Sequence, residues 1–384
     1  MPQSSRASPR TEQKKQVASY RGLSRSFLEE TRDKRTMSAL RERIQERARA
    51  LGFDAVGIAR ADVPLGPEFE RYVDFVRAGR HGSMGYLAAE PEARRRLDSE
   101  AILPGAKSVI CLARRYARTP DDEASDPPLA RRVARYARGQ DYHNFLRKKV
   151  RALAAFVRTL GPEVRARPLC DEEPLLERAW AARAGVGFVG KNGLVIIPGQ
   201  GSFVLLGEVV TTLALEPDQP IAERCGSCTL CLDACPTQAF DAPFVLDPRR
   251  CVAYLTIEDT AGDRAGVTEH LFGCDACQSV CPFNKTRAPA APKTRPFRPL
   301  PVWEGLGLAD LLRLDEPGFL ALTTGSPLRR ATRSGLARSA ARLAQAEAAA
   351  GRATDDVRAA LALGREHDDD IVRAITRGAS DGER

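Results

Sequence analysis

The chain has 384 residues, which is enough for two or three domains with cores of their own. Apolar residues make up 43% of it and charged residues 28%, and no apolar run approaches the about 18 residues that a membrane helix needs. This composition indicates a globular protein and excludes a helical membrane span. The net charge of +9 is compatible with a polyanionic partner such as nucleic acid, although an arginine-rich composition also accounts for it.

Residues 1–36 are polar and basic without apolar periodicity, which predicts a disordered extension. The first predicted helix covers residues 40–51 with Ser38 as its N-cap, and Met37 is an alternative start site. The extension contains no secretory apolar segment. Its stretch Ser-Arg-Ser-Phe-Leu at 24–28 lacks the second arginine of a twin-arginine signal. We therefore expect a cytoplasmic protein.

Helices and strands alternate irregularly from there to residue 215. Asp141 is the predicted N-cap of one helix and Pro174 opens another. The predicted helices cover residues 67–78, 142–160 and 175–184. Strands are predicted over residues 53–59, 108–113, 164–169, 194–197 and 203–213, with an acidic loop over 119–128. Because these elements do not follow a regular βαβ rhythm, the predicted fold class is α+β.

The segment 185–192 reads Gly-Val-Gly-Phe-Val-Gly-Lys-Asn and matches the dinucleotide-binding pattern Gly-x-Gly-x-x-Gly. That pattern binds phosphates where a strand precedes the loop and a helix follows it. Here a helix precedes and a strand follows, and Asn192 stands where a P-loop needs a hydroxyl group. The context argues against nucleotide binding, and the glycines indicate a tight turn that a large ligand can approach.

Eight of the ten cysteines fall between residues 225 and 281. The first run has the spacing Cys-x2-Cys-x2-Cys-x3-Cys-Pro of bacterial ferredoxins, in which the cysteine before proline binds the other of two clusters. Applied to both runs, this rule assigns one [4Fe–4S] cluster to Cys225, Cys228, Cys231 and Cys281. The second cluster takes Cys235, Cys274, Cys277 and the one cysteine between the runs, Cys251. A zinc ribbon lacks this third close cysteine, and a disulfide framework is not expected without a secretory signal.

Other candidate residues lie before the cysteine runs. Asp171 follows a predicted strand, where functional carboxylates are common, but a capping or solvated role is equally open. Tyr142 and His143 begin a helix, where a histidine more often caps or faces solvent. Cys111 and Cys170 lack metal-ligand spacing and are interpreted as structural residues.

The last part of the chain favours helix. Residues 286–301 are rich in Pro, Lys and Arg and predict a linker, and helical pairs over 308–345 and 353–378 predict short α-solenoid repeats. Arginines recur along the first pair. They make Arg329, Arg330 and Arg333 candidate phosphate contacts, although a solvated face is the alternative.

Taken together, these motifs resemble those of the epoxyqueuosine reductases, cobalamin- and iron–sulfur-dependent enzymes that complete queuosine in tRNA. The resemblance extends from about residue 37 to about residue 375. It rests on both cysteine runs and on residues 52–58, 134–143, 171–180, 184–193, 250–258 and 325–330. It implies a nitroreductase-like cobalamin domain over 37–215, a ferredoxin-like two-cluster module over 216–290 and a HEAT-like helical tRNA-binding tail over 291–384.

The resemblance also implies roles for single residues. Asp171 corresponds to the family's proton donor and is therefore expected to be protonated at neutral pH. Tyr142, His143, Lys191 and Asn192 match segments that line the cobalamin and substrate pocket. The implied reaction reduces epoxyqueuosine to queuosine at the wobble position of tRNA. Its electrons come from a soluble donor of the flavodoxin or ferredoxin type, through the clusters to cobalamin, in a monomeric enzyme.

Two other functions are compatible with parts of the sequence. A cobalamin-dependent reductive dehalogenase also joins a cobalamin domain to two ferredoxin-type clusters, but it typically carries a twin-arginine signal and needs no RNA-binding tail. A ferredoxin-like electron carrier does not explain the long folded stretch before the clusters.

Overall fold

The computed structural model describes residues 25–171, 173–259, 267, 269–285 and 295–377. In these residues the helices are α1 (Arg25–Ala50), α2 (Pro67–Arg77), α3 (Pro91–Arg95), α4 (Pro120–Ala124), α5 (Tyr142–Arg158), α6 (Glu177–Arg183), α7 (Leu230–Asp233), α8 (Val252–Ile257), α9 (Ala276–Ser279), α10 (Leu308–Arg313), α11 (Glu316–Leu322), α12 (Arg333–Ala349), α13 (Asp355–Arg365) and α14 (Asp370–Arg377). The strands are β1 (Ala55–Arg60), β2 (Ser108–Arg115), β3 (Ala166–Leu169), β4 (Phe188–Val189), β5 (Val195–Ile196), β6 (Val204–Thr211), β7 (Phe240–Ala242) and β8 (Val245–Leu246). None of these helices is long and apolar enough to cross a membrane.

The centre of the N-terminal half is an antiparallel sheet of four strands in the order β1-β2-β6-β3. Every residue of β2 is buried, because helices cover both faces of the sheet and alternation with polar residues is not needed. On one face, Ile110 packs in a core with residues of α1 and α5. On the other face, Cys111 packs in a core with Trp180 of α6. This mixture of helices with an antiparallel sheet confirms the predicted α+β class.

The sheet and α6 approach each other closely, and this contact positions the loop that carries Asp171. A Cβ atom on Gly57 of β1 would lie only 2.0 Å from the Ala184 carbonyl oxygen, so glycine is required where the end of α6 crosses the strand. Asp171 lies between β3, at the edge of the sheet, and α6. The loop is therefore held at both of its ends.

The N-terminus departs from the prediction. Helix α1 begins at Arg25, so residues 25–36 are helical rather than disordered, and Ser38 lies inside the helix instead of capping it. The segment contains neither proline nor glycine and is rich in Glu, Lys and Arg, which favour helix even without an apolar stripe. Ile44 and Ala48 bury the C-terminal half of the helix against the sheet. The prediction for residues 1–24 lies outside the described residues.

Two local predictions in the N-terminal half are also wrong. The acidic loop contains the short helix α4, because Thr119 caps it by accepting a hydrogen bond from the Asp122 backbone N–H at 3.1 Å. Pro174 does not open α6, which begins at Glu177. The proline instead lies in a turn closed by a hydrogen bond of 2.7 Å from Leu175 N to the Glu173 carbonyl oxygen.

The glycine-rich segment forms a tight β-hairpin. Strands β4 and β5 pair antiparallel, and Gly193 N donates to the Gly190 carbonyl oxygen at 2.8 Å across the turn. Helix α6 precedes this hairpin and no helix follows the turn, so the strand–loop–helix arrangement of a dinucleotide site is absent from this segment. Lys191 and Asn192 lie at the tip of the hairpin.

Residues 295–377 of the C-terminal tail form five α-helices, α10 to α14, rather than the two predicted helical pairs. Two residues interrupt the first predicted pair. Pro327 has no backbone N–H for an α-helical hydrogen bond, and Thr332 has a positive φ of 61°, which an α-helix does not contain. The tail packs on the rest of the protein, since its apolar side chains share a core with Val133 and with Phe272 of the cysteine segment. Trp303 adds a hydrogen bond of 2.9 Å from its Nε1 to the Arg138 carbonyl oxygen.

Candidate functional site

Four cysteines line one cavity of about 270 Å³. They are the four that the spacing assigns to the first cluster, Cys225, Cys228, Cys231 and Cys281. The other lining residues are Lys191, Asn192, Ile196, Arg224, Leu230, Pro282 and Phe283. The first cysteine motif, the second motif and the β4–β5 hairpin therefore meet at this cavity, although they are far apart in the chain.

The cysteines assigned to the second cluster are neighbours as well. Burial raises the pKa of Cys274 to about 12, and the thiols of Cys251 and Cys235 contribute to the rise. Burial likewise raises the pKa of Cys277, with contributions from Cys274 and Cys251. Backbone N–H groups point at two of these sulfurs, from Ala239 to Cys235 Sγ at 3.2 Å and from Ala276 to Cys274 Sγ at 3.3 Å. Such hydrogen bonds tune the potential of an iron–sulfur cluster.

The sulfur atoms are not gathered as they are around a single ion. No three His, Cys, Asp or Glu side chains in the described ranges stand together in a way that could hold one metal ion. In a [4Fe–4S] cube each thiolate binds a different iron atom, so the four sulfurs stand farther apart than the ligands of one zinc ion. The assignment of the eight cysteines to two cubes therefore rests on their spacing in the sequence.

Lys191 and Asn192 belong to the cysteine cavity. Lys191 Nζ donates hydrogen bonds to the Gly226 carbonyl oxygen at 2.6 Å and to the Cys228 carbonyl oxygen at 3.0 Å, so it holds the loop of the first cysteine motif. Asn192 is 4% exposed, and its Nδ2 has no hydrogen-bond partner among the described residues. This buried amide is available to a ligand.

A hydrogen-bonded group around Asp171 forms a second candidate site. Asp141 caps α5 by accepting a hydrogen bond of 3.0 Å from the His143 backbone N–H. The Tyr142 hydroxyl donates to Asp171 Oδ2 at 2.5 Å, and His143 Nε2 lies 3.0 Å from the same oxygen. Asp171 has a left-handed backbone (φ 68°), which is uncommon for a residue other than glycine and often marks a functional position. The structure thus brings together three residues predicted for the pocket.

The proton in this group is held by His143. Hydrogen bonds to Asp141 and Asp171 raise the pKa of His143 to about 9, so its imidazole is charged at neutral pH. Burial acts to raise the pKa of Asp171, but hydrogen bonds from His143 and Tyr142 and the charges of His143 and Arg330 hold it below its usual value. The expectation of a protonated Asp171 is therefore wrong for this arrangement. The pair nevertheless contains one transferable proton.

Arg330 connects the helical tail to this pocket. Its Nε donates to Glu258 Oε1 at 2.6 Å and its Nη2 to the Tyr86 hydroxyl at 2.9 Å. The guanidinium carbon also lies 5.6 Å from the centre of the Tyr86 ring, in cation–π range. Because Arg330 contributes to the low pKa of Asp171, the tail acts electrostatically on the pocket.

The other two candidate arginines are engaged within the tail. Arg329 Nη2 donates to the Leu320 carbonyl oxygen at 2.6 Å, and Arg333 forms an ion pair with Asp368. The structure therefore does not bring the three arginines to one point, and of the three it places Arg330 at the pocket.

Sequence reasoning misses three residues near Asp171. Glu177 Oε1 accepts a hydrogen bond of 3.0 Å from the Asp171 backbone N–H. Glu208 is fully buried in β6, and Tyr86 is 54% exposed beside Arg330. The sequence carries a signal for Glu208, which is a carboxylate inside an otherwise apolar strand. Tyr86 lies in a short 3-10 turn, Gly85–Ala88, and the sequence around it contains no motif that marks this tyrosine as functional.

Comparison with known proteins identifies the family. Residues 224–284 match the profile of a 4Fe-4S double cluster binding domain, and residues 96–172 match that of the epoxyqueuosine reductase QueG. The epoxyqueuosine reductase of Gloeobacter violaceus is 41% identical over 311 residues, covering 79% of this chain and 95% of that protein. This chain belongs to the epoxyqueuosine reductase family. The Pseudomonas aeruginosa reductase is 39% identical over 301 residues, covering 76% of this chain and 81% of that protein.

Solved structures of this family match most of the chain. An epoxyqueuosine reductase from Bacillus subtilis, with its catalytic aspartate loop swung out of the active site, gives a TM-score of 0.75 at 30% identity, covering 89% of this chain and 90% of that one. An epoxyqueuosine reductase with an epoxyqueuosine-modified tRNA stem loop gives a TM-score of 0.73 at 27% identity, covering 90% of this chain and 99% of that one. The family, the oxidoreductase class and the double-cluster segment predicted from the sequence are confirmed.

Proposed function

We propose that this oxidoreductase reduces epoxyqueuosine to queuosine at the wobble position of tRNA, the last step of queuosine biosynthesis. Family membership supports the reaction, and the proton-carrying pair of His143 and Asp171 is the observation within this chain that carries the proposal. The solved complex of a related reductase with a modified tRNA stem loop supports the same class of substrate here.

The reaction removes one oxygen atom from the substrate. The epoxide takes up two electrons and two protons and becomes an alkene, and the oxygen leaves as water. An epoxide oxygen is a poor leaving group unless it is protonated, so an acid must face it. Asp171 is suited to this contact because 45% of its side chain is exposed.

We propose that Asp171 delivers the proton and that His143 holds it beforehand. His143 keeps the proton at neutral pH, and its Nε2 lies within hydrogen-bond distance of Asp171 Oδ2, so the proton can pass along this bond as the epoxide oxygen accepts it. Tyr142 donates to the same carboxylate oxygen and fixes its orientation. Asp141 plays the corresponding role for the imidazole, since its Oδ1 lies 2.8 Å from His143 Nδ1.

We further propose cobalamin as the group that works beside Asp171. The donor chemistry of the chain fits it, because a corrinoid carries amide groups around its rim and the buried Nδ2 of Asn192 is an amide donor without a partner in the described part of the chain. Asn192 and Lys191, together with Tyr142 and His143, are the residues proposed to hold it. When bound, cobalamin supplies the strongly reducing and nucleophilic cobalt that no side chain provides.

The double-cluster domain is proposed to deliver the electrons. One [4Fe–4S] cluster is assigned to Cys225, Cys228, Cys231 and Cys281, and the second to Cys235, Cys251, Cys274 and Cys277. Lys191 ties the loop of the first motif to the hairpin that also carries Asn192, which favours the first cluster as the one next to the cobalamin site. A soluble donor of the flavodoxin or ferredoxin type is proposed to reduce the second cluster.

The helical tail over residues 291–384 is proposed to hold the tRNA. Arg330 lies near Asp171 and is proposed to contact a phosphate that flanks a splayed anticodon base, whereas Arg329 and Arg333 are paired within the tail and would have to exchange those partners for phosphates. The net charge of +9 favours the approach of a polyanion. The cytoplasmic location and the monomeric state remain predictions.

The test is to incubate the anaerobically purified and reconstituted enzyme, with a chemical reductant, on tRNA that carries epoxyqueuosine, and to analyse the nucleosides by mass spectrometry. We expect queuosine to form, and no halide to be released from halogenated aromatic compounds under the same conditions. Halide release without queuosine formation would overturn the proposal in favour of the dehalogenase alternative.

A further inference from the structure

The proposed reaction consumes two protons, and the pair of His143 and Asp171 holds one. We propose that Glu177 and Glu208 form a buried proton reserve behind Asp171 and supply the second proton of each turnover. This inference rests on the proposed function, because it assigns the origin of a proton which that reaction needs.

Glu208 stores a proton because of where it lies. It is in β6, opposite Cys111 of β2 and Leu169 of β3, in the interior of the sheet. Its side chain is 0% exposed, and no N–H or hydroxyl group among the described residues donates to either carboxyl oxygen, so its hydrogen-bonding neighbour is the carboxyl group of Glu177. A carboxylate buried without a donor is costly, whereas the neutral acid is tolerated, so Glu208 carries its proton at neutral pH. Burial and the charge of Glu177 raise its pKa in agreement with this.

Glu177 stands between this stored proton and the pocket. It is the first residue of α6, is half-buried, and accepts a hydrogen bond of 3.0 Å from the Asp171 backbone N–H. Burial and the neighbouring Asp171 raise the pKa of Glu177 to about 7, so it both gains and loses a proton in the neutral range. Helix α6 packs against β6, and both a side-chain hydrogen bond with Glu177 and the charge of Glu177 act to raise the pKa of Glu208. Adjacent carboxyl groups do not both ionise easily, so the pair retains a proton.

Among the described residues, Glu173 and Arg178 are the other charged groups that act on Glu177. Glu173 raises the pKa of Glu177 and accepts a hydrogen bond from the Cys170 backbone N–H at 3.0 Å. Arg178 acts in the opposite direction, but its Nη1 donates to the Gly193 carbonyl oxygen at 2.6 Å.

Two cysteine thiols are further neighbours of the two glutamates, and Arg147 lies near one of these thiols. Burial raises the pKa of the Cys111 and Cys170 thiols, which are therefore neutral neighbours. The positive charge of Arg147 acts on Cys170. The negative character of the surroundings favours retention of the proton.

The protons and electrons balance in two steps. The first carbon–oxygen bond of the epoxide breaks as the pair of His143 and Asp171 protonates the oxygen, and the second breaks as a proton from Glu177 reaches that oxygen by way of Asp171. Water leaves, and the two electrons come from the cluster domain. Glu208 then returns a proton to Glu177, and between turnovers solvent supplies two protons, one to His143 and one to the reserve.

The kinetic test compares Glu177→Gln with the wild type from pH 6 to pH 9, as steady-state queuosine formation by the loaded enzyme. We expect turnover of the variant to fall roughly 100-fold at pH 6.5, at the lower end of what a positioned general acid contributes. The deficit should shrink as the pH rises through about 7, because the wild type then loses the same proton. The matched control is Glu173→Gln, which removes a neighbouring carboxylate and should keep the dependence near pH 7.

The second measurement needs no activity. Infrared spectroscopy at pH 8, with light and heavy water compared, should detect a protonated carboxylic acid in the wild type that is missing in Glu208→Gln. A wild type without this signal, or a deficit of Glu177→Gln that does not change with pH, would overturn the proposal. If the wild type forms queuosine, either result rejects the reserve alone and leaves the proposed function standing.

Discussion

His143 Nε2 lies 3.0 Å from Asp171 Oδ2, and the contact joins a charged imidazole to an ionised carboxylate rather than to a neutral acid. A carboxylic acid that must protonate an epoxide faces a difficulty at neutral pH, because its own pKa is too low. This chain meets the difficulty by keeping the proton on the neighbouring imidazole, within one hydrogen bond of the carboxylate. We therefore propose the pair, rather than Asp171 alone, as the acid of the reaction.

Replacement of His143 by Gln tests whether His143 holds the proton that Asp171 delivers. Gln retains a hydrogen-bond donor but carries no titratable proton, so we expect queuosine formation to fall about 100-fold. The wild-type rate should decline as the pH rises through about 9, where His143 loses its proton, and this decline should be missing in the variant. Tyr142→Phe is the control, because it removes a hydrogen bond to Asp171 and leaves the proton. An unchanged pH profile in His143→Gln would contradict the assignment.

The same histidine makes the stability of the fold depend on pH. The pKa of His143 is raised to about 9 in the folded protein from an ordinary value of about 6.5, so the folded state binds the proton more tightly. The stabilisation is fully present below about pH 6.5 and is lost as the pH rises through about 9, with a size on the order of 1–2 kcal/mol because solvent screens the partly exposed carboxylates. Denaturant unfolding of wild type and His143→Gln, at pH 6.5 and pH 9.5, measures it. Equal pH dependence in the two proteins would contradict the pairing.

Cys251 decides the assignment of cluster ligands. Cys251→Ala should remove one ligand of the second cluster and leave the first intact, so iron content should fall from about eight to about four atoms per chain. Cys111→Ala is the matched control, since Cys111 is a fully buried cysteine of the sheet outside both cysteine motifs, and its iron content should stay at about eight. Two complete clusters in Cys251→Ala would show that another residue is the ligand.

Arg330 is the tail residue whose loss should affect the tRNA most. Arg330→Gln removes the positive charge next to Tyr86 and Asp171, so we expect the affinity for a modified stem loop to fall about tenfold and the salt dependence to lose about one phosphate contact. Arg358→Gln is the control, because Arg358 is exposed on α13 and pairs with Asp355 within its own helix. Equal effects of the two substitutions would indicate general charge attraction only.

The features that depend on local spacing could be predicted from the sequence. The cysteine runs give a double-cluster domain because thiolates for one cube must come from a short loop. Likewise, β2 and α5 follow from an apolar run and from an Asp141 cap. The end of α1 is clear at Gly52, but its start at Arg25 is not, because a charged helix without an apolar stripe gives no periodic signal.

The features that depend on contacts between distant segments could not be predicted. The protonation of Asp171 is set by His143 and Arg330, which lie in α5 and in the tail, and the sequence does not give their distances. The proposed reserve of Glu177 and Glu208 could not be predicted either, because the helix and the strand that carry them, α6 and β6, are brought together only by the packing of the sheet. A buried carboxylate in an apolar strand is the sequence feature that marks such a site.

The substitution Asp171→Asn tests the central claim most directly. Asn keeps the shape of Asp171 but neither holds nor passes on the proton, while the cysteines and the proposed cobalamin residues are unchanged. With wild-type iron content and corrinoid absorption, the variant should bind tRNA carrying epoxyqueuosine and form queuosine at least about 100-fold more slowly than the wild type, as measured by mass spectrometry of the nucleosides. Queuosine formation at the wild-type rate would contradict the account.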